Sequence, residues 1–135
     1  MKFDTKIAIV LREDLPTWQE INMTAFLASG IASKGDFIGA DYVAVGGRRD
    51  RPMFRQPVVI LVGSAEELRA ACNRAQTRRL AMAIFTEPLF ATGHDEANRA
   101  AFAASPPDQM SIAGFGMNGP KNDIDRALKG LKLVP

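Results

Sequence analysis

Two carboxylates follow apolar runs of the chain, at points where buried strands would end. Asp14 comes shortly after the run Ile7 to Leu11, and Glu87 directly follows the run Leu80 to Thr86. In an open α/β sheet, ligands bind beyond the carboxyl ends of the strands. Asp14 and Glu87 could serve as the acid and base of a hydrolase if one of them were partly buried and had a raised pKa. The alternative is that both are solvated loop charges, and spacing alone leaves both interpretations open.

Other polar residues also follow apolar runs and are candidates for the same reason. They are Arg12 and Glu13 after the first run, Gly63 and Ser64 after the second, Thr92 and His94 after the third, and Asn118 and Lys121 after the fourth. Backbone N–H groups at Gly63 and Ser64 could bind a phosphate or carboxylate. Glu67, three residues after Ser64, instead indicates a helix capping box, which we favour. His94 is either a general base or a solvated residue before a helix.

An arginine-rich segment is the strongest candidate for contact with an anion. Arg48, Arg49, Arg51 and Arg55 lie around Phe54. Guanidinium groups match phosphate geometry and an aromatic ring can stack on a base, so the segment could contact RNA or a tRNA-like anion. It could equally be a solvated hairpin whose charges protect an edge strand from aggregation.

The cysteine and histidine counts exclude several classes of protein. Cys72 and His94 are the only residues of their types, which excludes an internal disulfide, Cys/His zinc sites and thioredoxin-like chemistry. Cys72 falls in helical register with Leu68 and Ala75, so we interpret it as a core residue. No metal or cofactor is predicted.

The pattern of apolar residues predicts strands that alternate with helices. We expect strands at 6–11, 58–62, 80–86 and 110–116, and helices from Pro16 to Lys34, from Ser64 onwards, at 95–104 and at 121–129. The first helix is expected to be largely buried, residues 35–57 to form an irregular excursion with a short strand pair, and "LKLVP" to be a packed tail. The expected fold is a three-layer α/β/α domain with a mixed, mostly parallel sheet of about four strands.

Length and composition indicate one globular domain, residues 1–135. The chain is 47% hydrophobic and 24% charged, with a net charge of +2. The short apolar run near the N-terminus is broken by charges and is far below the roughly 18 residues of a membrane span. We therefore expect a cytoplasmic protein without a membrane partner, and homodimerisation through an edge strand or the 35–57 excursion is plausible.

Three longer segments carry a resemblance to a known family. These are "KIAIVLREDLPTWQEINMTAFLASGIAS", "PVVILVGSAEELRAACNRAQTRRLAMAIFTEP" and "SIAGFGMNGPKNDIDRALKGLKLVP". They resemble the strands and helices of the class II (archaeal-type) peptidyl-tRNA hydrolase fold. The "ED-L-P…N" pattern and "GFGMNGPKNDIDRALKGL" are similar to an uncharacterised bacterial family that shares this fold without the motifs of true hydrolases.

The resemblance implies a site but an altered motif. Where the hydrolases place a lysine at the start of the first helix, this chain has Asn22, and an amide cannot supply that charge to an oxyanion. Where they carry "DAGRT", this chain reads "EPLFAT", which keeps a carboxylate at Glu87 and a threonine, one residue displaced, at Thr92. The implied cleft consists of Asp14, Asn22, Glu87 and Thr92.

Three functions follow as expectations. The first is binding of a small polar or nucleotide-like ligand in that cleft, with the hydrolase motif lost or altered. The second is an active esterase or amidase in which Glu87 is the base and Asn22 orients the substrate. The third is an RNA-contacting module that uses the Arg48–Arg55 segment.

Overall fold

The computed structural model describes residues 2–135, which form seven strands and four α-helices. The strands are β1 (Thr5–Arg12), β2 (Tyr42–Val43), β3 (Arg49–Asp50), β4 (Val58–Gly63), β5 (Ala81–Thr86), β6 (Ile112–Pro120) and β7 (Lys132–Leu133). The helices are α1 (Thr17–Ala32), α2 (Ala65–Thr77), α3 (Asp95–Ala103) and α4 (Lys121–Ala127), with short 3-10 helices at Glu87–Ala91 and Pro107–Gln109. The main strands and helices lie close to their predicted positions.

The sheet has five strands in the order β5-β6-β1-β4-β7 and is mostly antiparallel. Only β1 and β4 pair in parallel, while β6 runs antiparallel to both β1 and β5, and β7 runs antiparallel to β4. The prediction of about four mostly parallel strands was therefore wrong. The tail is also not merely packed on the body, because Lys132–Leu133 forms the fifth strand.

The antiparallel arrangement follows from the path between β5 and β6. The Glu87 N–H donates to the Ser111 carbonyl at 2.9 Å, so the end of β5 lies beside the start of β6. The helix between them, α3, does not carry the chain back across the sheet. β6 therefore starts at the edge where β5 ends, and it must run in the opposite direction.

The sheet separates two apolar layers, as a three-layer arrangement requires. On one face, Leu68, Cys72 and Ile124 of the helices α2 and α4 pack against alternate residues of β1 and β6. On the other face, α1 packs against the sheet through Met23, Leu27 and Ile31. Cys72 is buried as predicted, and burial raises the pKa of its thiol.

Glycines on β6 let α1 approach the sheet closely. A Cβ atom at Gly114 would lie 2.7 Å from the Met23 sulfur and 2.8 Å from the Val10 carbonyl oxygen. A Cβ atom at Gly116 would lie 2.8 Å from Cδ1 of Ile31. All three distances are shorter than real side-chain contacts, so only glycine fits at these positions without movement of the neighbouring atoms.

The prediction that α1 is largely buried was only partly right. The side chains of Trp18, Ile21 and Phe26 are 60%, 67% and 51% exposed. The helix carries apolar residues on nearly all sides, but the single sheet face beneath it buries one side. Its exposed apolar residues border two depressions, one on each flank of the helix.

Residues 37–55 form a hairpin arm, where the sequence predicted an excursion with a short strand pair. The Arg55 N–H donates to the Phe37 carbonyl, and the pairing continues through β2 and β3 to a turn at Gly46 and Gly47. Both glycines have positive φ, at 95° and 91°, a conformation that other residues rarely adopt. No helix within residues 2–135 combines the length and apolar character needed to cross a membrane.

Candidate functional site

Arg12 lies between two carboxylates at the carboxyl end of the central strand. Its Nε donates to Asp14 Oδ1 at 2.6 Å, and a terminal guanidinium nitrogen contacts Glu87 Oε1. Arg12 is only 9% exposed, whereas both acids reach solvent. The parallel directions of β1 and β5 place their carboxyl ends at the same edge of the sheet, so Asp14 and Glu87 come together as the strand-end argument predicts.

The two acids stabilise the charged form of Arg12. Burial by itself lowers the pKa of this guanidinium, but the hydrogen bonds and charges of Asp14 and Glu87 outweigh burial and the pKa is raised. One oxygen of Glu87 is engaged by Arg12. A general base at Glu87 would therefore act through its other oxygen or would first have to leave the arginine.

A pocket of about 270 Å³ lies between α1 and the start of α3. Aromatic rings form much of its wall. Phe85 and Phe90 lie 4.8 Å apart between ring centroids, and Trp18 meets Phe90 edge to face at 6.1 Å. Phe26 contacts Phe85 in the same manner at 5.9 Å. We call this site the aromatic pocket.

Polar side chains also line the aromatic pocket, among them Asn22, Thr92, His94 and Asn98. The Thr92 hydroxyl donates to the Leu89 carbonyl at 3.0 Å and also contacts Asn98 Oδ1. His94 caps α3, because its Nδ1 accepts from the Ala97 N–H at 3.2 Å. In the neutral ring this bond places the proton on Nε2, which leaves Nε2 as a donor.

The implied cleft of Asp14, Asn22, Glu87 and Thr92 therefore divides into two neighbouring parts. Asn22 and Thr92 line the aromatic pocket, while Asp14 and Glu87 bind Arg12 at the sheet edge. The 3-10 helix Glu87–Ala91 connects the parts, since it begins with Glu87 and carries Leu89 and Phe90 into the pocket.

Gly63 and Ser64 have structural partners at the start of α2. The Ser64 hydroxyl accepts from the Glu67 N–H at 3.1 Å, and the Ser64 N–H donates to the Glu67 carboxylate at 2.9 Å. The capping box is confirmed, and its hydrogen bonds lower the pKa of Glu67. The Gly63 carbonyl accepts from the Glu13 N–H, and a Cβ atom at Gly63 would lie 2.6 Å from Leu131.

The arginine segment lies on the exposed hairpin arm and is partly neutralised by the arm's own acids. Arg48 pairs with Asp50 at 2.8 Å, and Arg49 pairs with Asp41 at 3.4 Å. Arg51 makes no ion pair with any residue from 2 to 135. The arm thus presents less free positive charge than the sequence suggests, and none of its residues lines the aromatic pocket.

Asn118 and Lys121 do not belong to the site, contrary to the strand-end prediction. Asn118 pairs with Ile7 and Ala81, near the amino ends of β1 and β5. The reason is the antiparallel direction of β6, which places its carboxyl end at the opposite edge of the sheet. Among residues 2–135, no group of three or more Asp, Glu, His or Cys side chains lies close enough together to hold a metal ion.

Sequence reasoning missed the bridging role of Arg12 and the part that Phe85, Phe90 and Asn98 play in the aromatic pocket. An arginine that directly extends a buried apolar strand is a usable signal, because a cation there needs an acidic partner. The contribution of Phe85, Phe90 and Asn98 carried no such signal. Their approach to α1 depends on the path of the chain after β5.

Comparisons with known proteins find a solved structure and a family model that match the chain. A solved structure of a protein of unknown function from Agrobacterium tumefaciens strain C58 is 40% identical, with a TM-score of 0.94, and the match covers 99% of this chain and 100% of that one. No curated protein matches the chain. The model of the family described as "Protein of unknown function (DUF2000)" matches residues 5–135, and the chain therefore belongs to that family.

Proposed function

We propose that the protein binds a small, flat, polar ligand of nucleobase size in the aromatic pocket. The observation that carries the proposal is the meeting of four aromatic rings with the polar groups of Asn22, Thr92, His94 and Asn98. Known ligand sites combine an apolar, largely aromatic wall with a few placed polar groups.

Each part of the pocket has a role in this proposal. The rings of Phe90 and Trp18 offer faces and edges against which a planar ligand packs. The amides of Asn22 and Asn98 supply both donors and acceptors, and His94 Nε2 supplies a donor. A volume of about 270 Å³ lies just below the usual range for ligand pockets, which favours a base-sized molecule over a whole dinucleotide.

Trp18 provides a direct test, because it is the only tryptophan and lines the pocket. Titration with adenosine, guanosine, cytidine and uridine should change the Trp18 fluorescence in a saturable manner for at least one of them. Asn22→Ala should weaken that binding by about tenfold, the effect of one lost hydrogen bond of about 1.4 kcal/mol. Asn73→Ala, at an exposed position on α2, is the matched control. The absence of any saturable change with all four nucleosides at millimolar concentration would contradict the proposal.

A second candidate is hydrolysis of an ester or amide, which the meeting of Arg12, Asp14 and Glu87 beside the aromatic pocket favours. This candidate assumes that the chain is related to the class II peptidyl-tRNA hydrolases. The positions of Glu87 and Thr92 in the sequence support that assumption. Glu87 would be the base and Asn22 would orient the substrate carbonyl.

The second candidate predicts turnover of a peptidyl-tRNA substrate that depends on Glu87. Glu87→Gln should reduce the rate by at least about 100-fold, since general base catalysis typically contributes that much. Circular dichroism should show an unchanged fold, and an authentic hydrolase serves as the positive control. Equal rates in wild type and Glu87→Gln would refute the role of Glu87, and no turnover in either would leave only the binding function.

A further inference from the structure

A second depression lies on the other flank of α1, over the strands β4 and β7. Its volume is about 810 Å³, and its apolar lining includes Ile21 of α1, Ile60 and Val62 of β4, and Val134 of the tail. We call it the tail groove. Of the candidate site residues predicted from the sequence, only Glu13 lines it.

The tail groove exists because one helix covers a five-stranded sheet face. α1 packs closely on β6 through Gly114 and Gly116 and on β5 where Gly30 meets Ala83. This position leaves β4 and β7 without a helix above them. The Val134 N–H donates to the Ile60 carbonyl at 3.1 Å, so the tail forms the outer wall of the groove.

Charged groups line the tail groove toward the carboxyl edge of the sheet. Glu13 is fixed there by its N–H bond to Gly63, and Lys132 pairs with Val62 near the end of β4. Glu20 of α1 also lines the groove and is partly buried. Within residues 2–135, none of these three charged side chains forms an ion pair. The groove therefore has an apolar body and a polar end with two carboxylates and one ammonium.

A nearby cation should stabilise the ionised form of Glu20 more than it would stabilise a fully solvated carboxylate. Burial, and next the charge of Asp14, raise the pKa of Glu20. Both causes disfavour its ionised form, and the positive charge of an ammonium group bound beside it would favour that form. The charge at this end of the groove is complementary to a cation.

We propose that the tail groove binds an amphiphilic primary amine, with its ammonium group between Glu13 and Glu20 and its aliphatic chain along Ile21, Ile60 and Val134. The groove volume lies well inside the range of small-molecule sites. The proposal is independent of the aromatic pocket, which lies on the opposite flank of α1. Lys132 belongs to the same end and would repel an ammonium group placed next to it, so the head group should sit on the helix side.

The test measures the binding of butylamine, pentylamine and hexylamine to the intact protein by isothermal titration calorimetry at pH 7. Affinity should rise about fourfold per added methylene, which corresponds to about 0.8 kcal/mol per buried CH₂. Hexanoate is the matched anion, with the same apolar chain and the opposite charge. It should bind at least tenfold more weakly than hexylamine.

Variants test whether the two glutamates at the charged end of the groove contribute to amine binding. Glu20→Gln and Glu13→Gln should each weaken hexylamine binding at least fivefold, while Glu66→Gln, an exposed acid on α2, should leave it unchanged. Circular dichroism of each variant verifies the fold. Saturation of the Trp18 fluorescence by nucleosides should persist in all three, which distinguishes this site from the aromatic pocket.

Several results would overturn the proposal. They are no hexylamine binding at millimolar concentration, equal or tighter binding of hexanoate, or an affinity that does not depend on either glutamate. Equal or tighter binding of hexanoate would assign the polar end to Lys132 and make the ligand an amphiphilic carboxylate.

Discussion

Arg12 is a nearly buried cation whose two acidic partners reach solvent. Its side chain is 11% exposed, against 66% for Asp14 and 43% for Glu87. The acids can be rehydrated if the arginine is lost, but a guanidinium that loses its acids would stay buried and unpaired. The arrangement therefore depends more on the presence of both acids than on any one hydrogen bond.

Replacement of this cation should reduce stability by a moderate amount. Arg12→Gln should lower the free energy of unfolding by about 1–3 kcal/mol, because it removes charge-assisted hydrogen bonds at a mostly buried position. Arg12→Lys should recover only part of the loss, since a single ammonium cannot hold both acids in the guanidinium geometry. Urea unfolding measures the difference. Arg99→Gln, which breaks an exposed pair with Asp95, is the control, and an equal loss there would contradict the explanation.

Glu20 should make stability depend on pH in the direction opposite to most acids. Its pKa is raised above the ordinary value of 4.5, so the folded state binds a proton more tightly than the unfolded state. The favourable contribution is complete below that value and is lost as pH rises through the folded pKa. The free energy of unfolding of Glu20→Gln minus that of wild type should therefore be larger at pH 7 than at pH 4, by up to about 0.5 kcal/mol. A constant difference between these pH values in urea unfolding would refute this.

At the scale of elements, α1 and β6 define the geometry of both depressions. The close approach at Gly114 and Gly116 sets where the helix lies across the sheet. The aromatic pocket and the tail groove occupy the space left on its two flanks. A change in the packing of the helix should consequently affect both depressions.

A single methyl group on β6 tests this. Gly116→Ala places a Cβ atom 2.8 Å from Ile31, and we expect a loss of about 1–3 kcal/mol in the free energy of unfolding. Gly93→Ala is the control, because nothing lies within 4 Å of its Cβ position. It should be neutral or slightly stabilising. Thermal unfolding of both variants gives the comparison. Equal transition temperatures would show that α1 moves to accommodate the methyl group without loss of stability.

Local patterns predicted the elements well and their arrangement less well. Ser64 and Glu67 predict the start of α2, because their capping contact joins residues only three positions apart in the sequence. Continuous apolar runs predict β1, β4 and β5. The direction of β6 depends instead on the position of α3, which no short-range pattern encodes. The prediction of a parallel sheet therefore failed at this strand, and Asn118 was misplaced with it.

At the scale of the whole molecule, part of the candidate site could be predicted from the sequence and part could not. Asp14 and Glu87 were predictable because both follow strands with a common direction. The apolar exposure of Trp18 and Phe26 was not, because helical spacing indicates which residues are apolar but not how many faces of the helix the rest of the fold covers. The tail groove depends on where the last residues lie, and the sequence indicated only that they pack.

The hairpin arm divides the chain into two pieces that need each other. The first piece carries β1, the central strand, together with α1, and the second carries β4 and β6, which flank β1 on both sides. A chain cut between Gly46 and Gly47 would leave an unpaired strand in one fragment and an open slot in the other. The fold therefore suits fragment complementation, in which two halves fused to proteins that bind each other are expected to assemble the complete sheet.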